Sequence, residues 1–240
     1  MRYLLIFMLC VGIFVLGKRS CHFSMFGVAG KGPVKTEART VDAFHAIEVE
    51  FSGDVEVTTA EQNSVEVQAQ ENLMQHIKTE VSNGVLRIYF DTQIAHTENL
   101  VVRVAAPVFD ALSLGGSGSI NMKNMLKSDK LKLAIGGSGD INADQLEVGA
   151  LLTEISGSGS IRVGGKANEL KAEVGGSGDI QADKLNSNTC NASVTGSGSI
   201  DCGMVQQQLD AAVTGSGDIR YSGTPKTNVD ITGSGSVKGK

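Results

Sequence analysis

Asp140, Asp179 and Asp218 each follow a Gly-Ser-Gly triplet and precede an isoleucine, and successive members lie 39 residues apart. Carboxylates at a fixed repeat suggest two chemistries. The first is sugar cleavage by a carboxylate pair. If the repeats stack, alternate levels would set these aspartates ~9.6 Å apart, twice the strand spacing. That is the upper edge of the ~6.5–9.5 Å used by inverting glycosidases. A catalytic pair is usually unique and set in a groove, however, and these aspartates repeat identically in a chain with only 5% aromatic residues to stack sugars. The second is calcium binding. Gly-Gly-Ser-Gly-Asp-Ile resembles a calcium-binding nonapeptide, but one residue is missing between glycine and aspartate. Calcium also asks for 6–8 oxygens at ~2.4 Å, which carboxylates on alternate levels cannot share.

Other groups give weaker signals. The motif serines are many and equivalent, and no Gly-x-Ser-x-Gly elbow occurs. His22, His45, His76 and His96 lack the close spacing of metal ligands. Gly164-Gly165-Lys166-Ala167 is no phosphate loop, because the Gly-x-x-x-x-Gly-Lys-Ser/Thr pattern is absent. No cofactor and no metal site is expected. Cys190 and Cys202, twelve residues apart, could pair in an oxidising compartment or pack as small apolar fillers.

The element that positions all these residues is a repeat. Gly-Ser-Gly-Ser/Asp-Ile/Val occurs seven times, starting at Gly116, Gly137, Gly157, Gly176, Gly196, Gly215 and Gly233, with spacings of 18 to 21 residues. Phe51-Ser52-Gly53-Asp54-Val55 is a weaker outlying copy. Each copy lies in a two-residue alternation, as in Leu170, Ala172, Val174, Gly176, Gly178, Ile180 and Ala182. This is the period of a strand, not of a helix. A coil of about twenty residues cannot bury its own apolar face, whereas stacked parallel coils bury a continuous core. The sequence therefore predicts an all-β fold, a right-handed parallel β-helix (β-solenoid) of ~20-residue coils. A propeller, with two units per blade, is the less favoured alternative. The glycines share the inward parity of Val174 and Ile180, which suits a corner with no room for a side chain and with φ > 0 permitted.

The residue after the second glycine alternates without exception: Ser119, Asp140, Ser160, Asp179, Ser199, Asp218, Ser236. In a direct stack, seven aspartates would repel one another, and an intervening serine can donate a hydrogen bond to a carboxylate. The alternation supports stacking of neighbouring coils and duplication of a two-coil unit.

Residues 41–114 are β-rich but not cleanly repetitive, and predict irregular first coils or a cap for the otherwise exposed end. Strands are expected over 46–50, 54–58, 64–69, 85–90, 100–105 and 109–114. Ser82-Asn83-Gly84 reads as a hairpin turn, and residues 71–77 as a short helical turn. The regular Gly-Ser-Gly solenoid spans 115–240, and 41–240 form one continuous domain. Residues 22–40 read as a flexible tether. Residues 1–21 hold Arg2 and an apolar run from Tyr3 to Leu16, short of the ~20 residues of a membrane span. This resembles a signal peptide, with an uncleaved anchor and lipid attachment at Cys21 left open. Membrane association is expected only through this N-terminal segment. The net charge of -5 with no basic block argues against nucleic-acid partners.

Taken together, Val41 to Val49, Ser52-Gly53-Asp54-Val55 and the repeated Gly-Ser-Gly-Asp/Ser-Ile resemble the auto-transporter adhesin head GIN domain, a bacterial domain of unknown function. The resemblance covers about residues 41–237. It implies a β-helical fold, export to the periplasm, outer membrane or cell surface, and an adhesion role without catalytic residues. The expected function is that of a non-enzymatic envelope protein with a protein or glycan ligand of unknown identity. Alternatives are a self-assembling envelope element, hence a homo-oligomer, or a carbohydrate-active β-helix enzyme. The candidate contact surface is the outward column Ser117, Ser138, Ser158, Ser177, Ser197, Ser216 and Ser234, with Asp140, Asp179 and Asp218 beside it. The alternative is that these side chains merely solvate the ladder.

Overall fold

The computed structural model describes residues 27–240. The expected signal segment at 1–21, with Cys21, and the first part of the expected tether lie outside the described residues.

The N-terminal portion contributes β1 (Val28–Ala29), β2 (Val34–Arg39), β3 (Ala46–Val49), β4 (Asp54–Thr59) and β5 (Ser64–Gln70). A single 3-10 turn (Met74–His76), β6 (Ile77–Ser82), β7 (Val85–Phe90), β8 (Ile94–His96) and β9 (Val101–Ala106) follow. The repeat portion begins with β10 (Ala111–Leu114), β11 (Ser119–Met122), β12 (Leu126–Ile135), β13 (Asp140–Ile155) and β14 (Ser160–Val174). It ends with β15 (Asp179–Gly196), β16 (Ser199–Gly215), β17 (Asp218–Ser222), β18 (Lys226–Gly233) and β19 (Ser236–Gly239).

The long strands are coils seen edge-on. In β13 the two-residue alternation of buried and outward side chains slips at Asp144-Gln145 and again at Gly149-Ala150, where two residues that are not buried stand in succession. Each slip marks a corner, because a strand that turns must change which parity faces inward. The third corner is Gly-Ser-Gly. Every coil therefore has three short faces, and each face pairs in parallel with its counterpart one level away. On the first face Leu114 pairs with Ile135, Ile135 with Ile155, Ile155 with Val174, Val174 with Val194 and Val194 with Val213. On the second, Ile120, Ile141, Ile161, Ile180, Ile200 and Ile219 form one unbroken column, all at most 1% exposed. The third face stacks Leu126, Leu146, Gly165 and Leu185. The interior is filled by these side chains, so the stacked parallel β-solenoid holds its core along its axis.

The corner glycines have a more specific cause than inward parity alone. A Cβ on Gly198 would collide with the Gly178 carbonyl oxygen in the coil below and lie 2.7 Å from Val174 Cγ1. The turn aims the Cα substituent down the stack as well as inward. Positive φ is needed at the first motif glycine only in the last three copies, Gly196, Gly215 and Gly233.

The first levels depart from chain order. β3 and β4 form a level that β10 and β11 cover on one side. On its other side lie β7 and β9, which come later in the chain than β3 and β4. Antiparallel strands close this end: β6 on β7, β5 on β9 and β2 on β5. The expected hairpin is a two-residue turn, with Asn83 and Gly84 at φ 52° and 76°, the geometry of a type I′ connection. Two boundaries differ from expectation. Residues 34–39, expected as tether, are β2, paired over six residues with β5, because β5 would otherwise present an open edge. The strand at 111–114, expected in the cap, is the first strand of the regular stack and joins directly onto β12.

Candidate functional site

The Gly-Ser-Gly corners stack without interruption. The amide of each corner serine from Ser138 to Ser234 donates to a glycine carbonyl one level back: Ser138 to Gly116, Ser158 to Gly137, Ser177 to Gly157, Ser197 to Gly176, Ser216 to Gly196 and Ser234 to Gly215. The backbone polar groups of the corner are thus satisfied within the stack, and the side chains are left to face outward. Ser117, Ser138, Ser158, Ser177, Ser197, Ser216 and Ser234 face outward at every level. They form one ridge of hydroxyls, stepping by the inter-strand distance of ~4.8 Å.

Two residues further along, the Ser/Asp column runs parallel to the ridge. The pairing register is Asp54, Ser119, Asp140, Ser160, Asp179, Ser199, Asp218, Ser236. The weak copy at Phe51–Val55 therefore supplies one more level. Serine hydroxyls donate to the carboxylate one level below: Ser119 Oγ to Asp54 at 2.7 Å, Ser199 Oγ to Asp179 at 2.5 Å and Ser236 Oγ to Asp218 at 2.6 Å. The Ser199 amide also donates to Asp179, at 3.2 Å. Hydrogen bonding to Ser236, aided by Arg220 and Lys238, holds the Asp218 carboxyl below the usual aspartate range.

A third outward column completes the surface, and no sequence motif singles it out. It contains Asn121, Asn142, Arg162, Gln181, Asp201, Arg220 and Lys238, which are in register. Arg162 donates to Asn142 at 3.0 Å and to Gln181 at 2.9 Å, and Asn142 donates to Asn121 at 2.9 Å. The signal lies two positions after each Ser/Asp, once the repeats are aligned. Its side-chain types vary, so periodicity alone marks it.

The three columns make a polar strip of hydroxyl, carboxylate and amide groups on one side of the rod. A hollow of about 820 Å³ lies elsewhere, lined by Val108, Asp110, Lys127–Lys130 and Glu147–Gly149, and it includes none of the strip. Asp140 and Asp179 are separated by the Ser160 level. Among the described residues, no group of three or more His, Cys, Asp or Glu side chains converges as metal ligands. His45 and His76 each meet a carboxylate, Asp110 at 2.8 Å and Asp91 at 2.9 Å, outside the Gly-Ser-Gly corners. Cys190 and Cys202 are free and buried. Their mutual hydrogen bond, with burial, pushes the Cys202 thiol pKa well up.

A family model described as "Putative auto-transporter adhesin, head GIN domain" matches residues 43–225. The chain belongs to this family. Solved structures repeat the fold of this GIN domain. A chain from Bacteroides fragilis described as "a putative adhesin" aligns with a TM-score of 0.85 at 24% identity, covering 89% of this chain and 100% of that one. A "putative lipid binding protein" from Parabacteroides distasonis gives 0.76 at 24% identity, covering 89% and 99%. A second P. distasonis protein, a "putative adhesin", gives 0.72 at 25% identity, covering 89% and 99%. No curated protein matches the chain.

Proposed function

We propose that this GIN domain is an exported, non-enzymatic envelope or surface protein. Its polar strip, the Ser117-to-Ser234 ridge with Asp140, Asp179 and Asp218, is the contact face for a protein or glycan ligand. The observation that carries this reading is the seven-fold repetition of one outward-facing chemistry at a constant step. A repeating polymer such as a glycan offers matching hydroxyls, and rigid stacked strands hold their donors and acceptors in place before binding, which lowers the ordering cost. The apolar run at residues 3–16 supports export, and the family's adhesin description agrees with a surface role. The identical repetition of the aspartates, with a serine level between successive members, argues against hydrolysis by a unique carboxylate pair. Binding a lipid inside the rod is disfavoured by an interior packed at each level with Ile, Leu and Val side chains.

The test uses the purified full chain on an immobilised glycan array and on mucin-coated surfaces. A variant with Ser177→Arg and Asp179→Arg is run in parallel. Both positions point outward, so the circular dichroism spectrum should be unchanged while binding falls at least tenfold. Undiminished binding by the variant would reject the strip as the contact face. Cell fractionation with the N-terminal mass of the mature protein tests export separately.

A further inference from the structure

Cysteine enters two inward columns of the core at adjacent levels. On the first face Leu131, Leu151, Leu170, Cys190 and Leu209 stack in register, so Cys190 interrupts a column of leucines. On the second face Gln181 pairs with Asp201. The next inward residue is Ala182 in one coil and Cys202 in the following one. Cys190 and Cys202 are 2% and 0% exposed.

Three features bring the two sulfurs together. In the β15 coil, the corners at Asp183-Lys184 and Asn188-Thr189 leave only a short third face between Ala182 and Cys190. Both of these inward residues are small, where the preceding coil buries Val163 and Leu170. A close-packed interior must fill that space from a neighbouring level. The β16 coil is also shortened at the matching corner: Asp201 to Met204 spans three positions where the paired Gln181 to Asn186 spans five. It turns at Gly203, with φ 67°, directly after Cys202. The two thiols form a hydrogen bond with each other.

We propose that Cys190 and Cys202 close to a disulfide between the β15 and β16 coils when the chain folds in an oxidising compartment. The bond staples two levels across the core. The loop that it closes contains the Gly196-Ser197-Gly198 corner and Ser199, whose hydroxyl donates to Asp179 at 2.5 Å. The staple therefore braces one level of the polar strip. Pairing in the cell rests on the export reading, because cytosolic thiols are kept reduced. Pairing in vitro does not. One cysteine thiolate attacks a sulfur of a small disulfide, such as oxidised glutathione, and releases one glutathione thiolate. The second cysteine thiolate attacks the mixed disulfide and releases the other. The two cysteines are oxidised, and the two released thiolates take up the two protons that the cysteines lose. In the folded chain, the Cys190 thiol and burial keep the Cys202 thiol protonated. Exchange therefore precedes docking of the β16 coil, and the finished bond is shielded from reductant.

The test uses the full chain in a mild non-ionic detergent, with Cys10 and Cys21 changed to Ser. The chain is unfolded with reductant, then refolded either with oxidised and reduced glutathione or with dithiothreitol. After the glutathione refolding, the monomer should be lighter by two hydrogen atoms and should offer no thiol to iodoacetamide in denaturant. Its denaturation midpoint should exceed that of the reduced form. Its β16 amides should exchange roughly a hundredfold more slowly, the effect of closing a loop of this length. Cys190→Leu combined with Cys202→Ala restores the residues of neighbouring levels, and its midpoint should not respond to reductant. Four results would each overturn the proposal. The first is two reactive thiols after glutathione refolding, and the second is a bond formed only between chains. The third is equal midpoints for the oxidised and reduced forms. The fourth is a reductant-dependent midpoint in the double variant. None of these readouts depends on where the chain resides, so failure of the pairing and failure of export are separate findings.

Discussion

At the scale of single residues, the corner glycines are selected by the coil below them. Gly198 has no room for a methyl group, whose nearest neighbours would be the Gly178 backbone and Val174. Gly136, one residue before a motif, has no atom within 4 Å of the place its methyl group would take in an alanine. Gly198→Ala should therefore cost about 1–3 kcal/mol or more through overpacking. Gly136→Ala should be neutral or slightly stabilising, by up to about 1 kcal/mol, through reduced freedom of the unfolded chain. Denaturant midpoints of the two variants check this. The Ser/Asp column makes a second residue-scale case. The folded state holds the Asp218 pKa down, chiefly through Ser236. Its stabilising contribution is therefore present above the ordinary aspartate value of about 3.9 and is lost as pH falls through the lowered value. Ser236→Ala should raise the Asp218 pKa toward that ordinary value, read by NMR titration of the carboxyl carbon.

At the scale of elements, the antiparallel cap is what allows a parallel stack to end. β2 contributes no buried side chain, so its role is to occupy the backbone edge of β5, whose Val65 and Val67 are at most 2% exposed. Arg39 adds a tie from its guanidinium to the Met74 carbonyl at 2.9 Å. Deleting residues 27–40 should lower stability by several kcal/mol, at about 1 kcal/mol for each lost backbone bond. It should also expose β5 as a sticky edge, detected as a lower denaturation midpoint and increased aggregation. The sequence could not announce β2, because a strand that buries nothing carries no hydrophobic alternation. Its Val-Lys-Thr-Glu-Ala-Arg pattern has the composition of a solvated segment, and only its antiparallel neighbour makes it a strand.

At the scale of the whole molecule, stability is a sum over levels, each held by its neighbours. Among the described residues, β18 pairs only with β16 and β19 only with β17. Amides of β18 and β19 should therefore exchange with deuterium well before those of β14 and β15 in dilute solution. Uniform exchange along the rod would contradict a stack that opens from one end.

The regular stack is legible because the repeat encodes it at several levels at once. The inward isoleucine column, the Gly-Ser-Gly corner and the Ser/Asp alternation all require direct superposition of coils. The register Ser119, Asp140, Ser160, Asp179 meets all three requirements. The ridge serines, too, are placed outward by parity alone. Two features depend on tertiary structure: the level formed by β7 and β9 lying beyond the earlier β3 and β4, and the capture of residues 34–39 as an edge strand. Periodicity records which side of a strand is buried. It carries no record of which strand lies next to it, because backbone hydrogen bonds are the same for every partner. Where all coils repeat, any neighbour is equivalent and the order of the chain suffices. Where the repeat fails, the choice of neighbour falls to side-chain packing between segments distant in sequence, and only the folded molecule makes that choice.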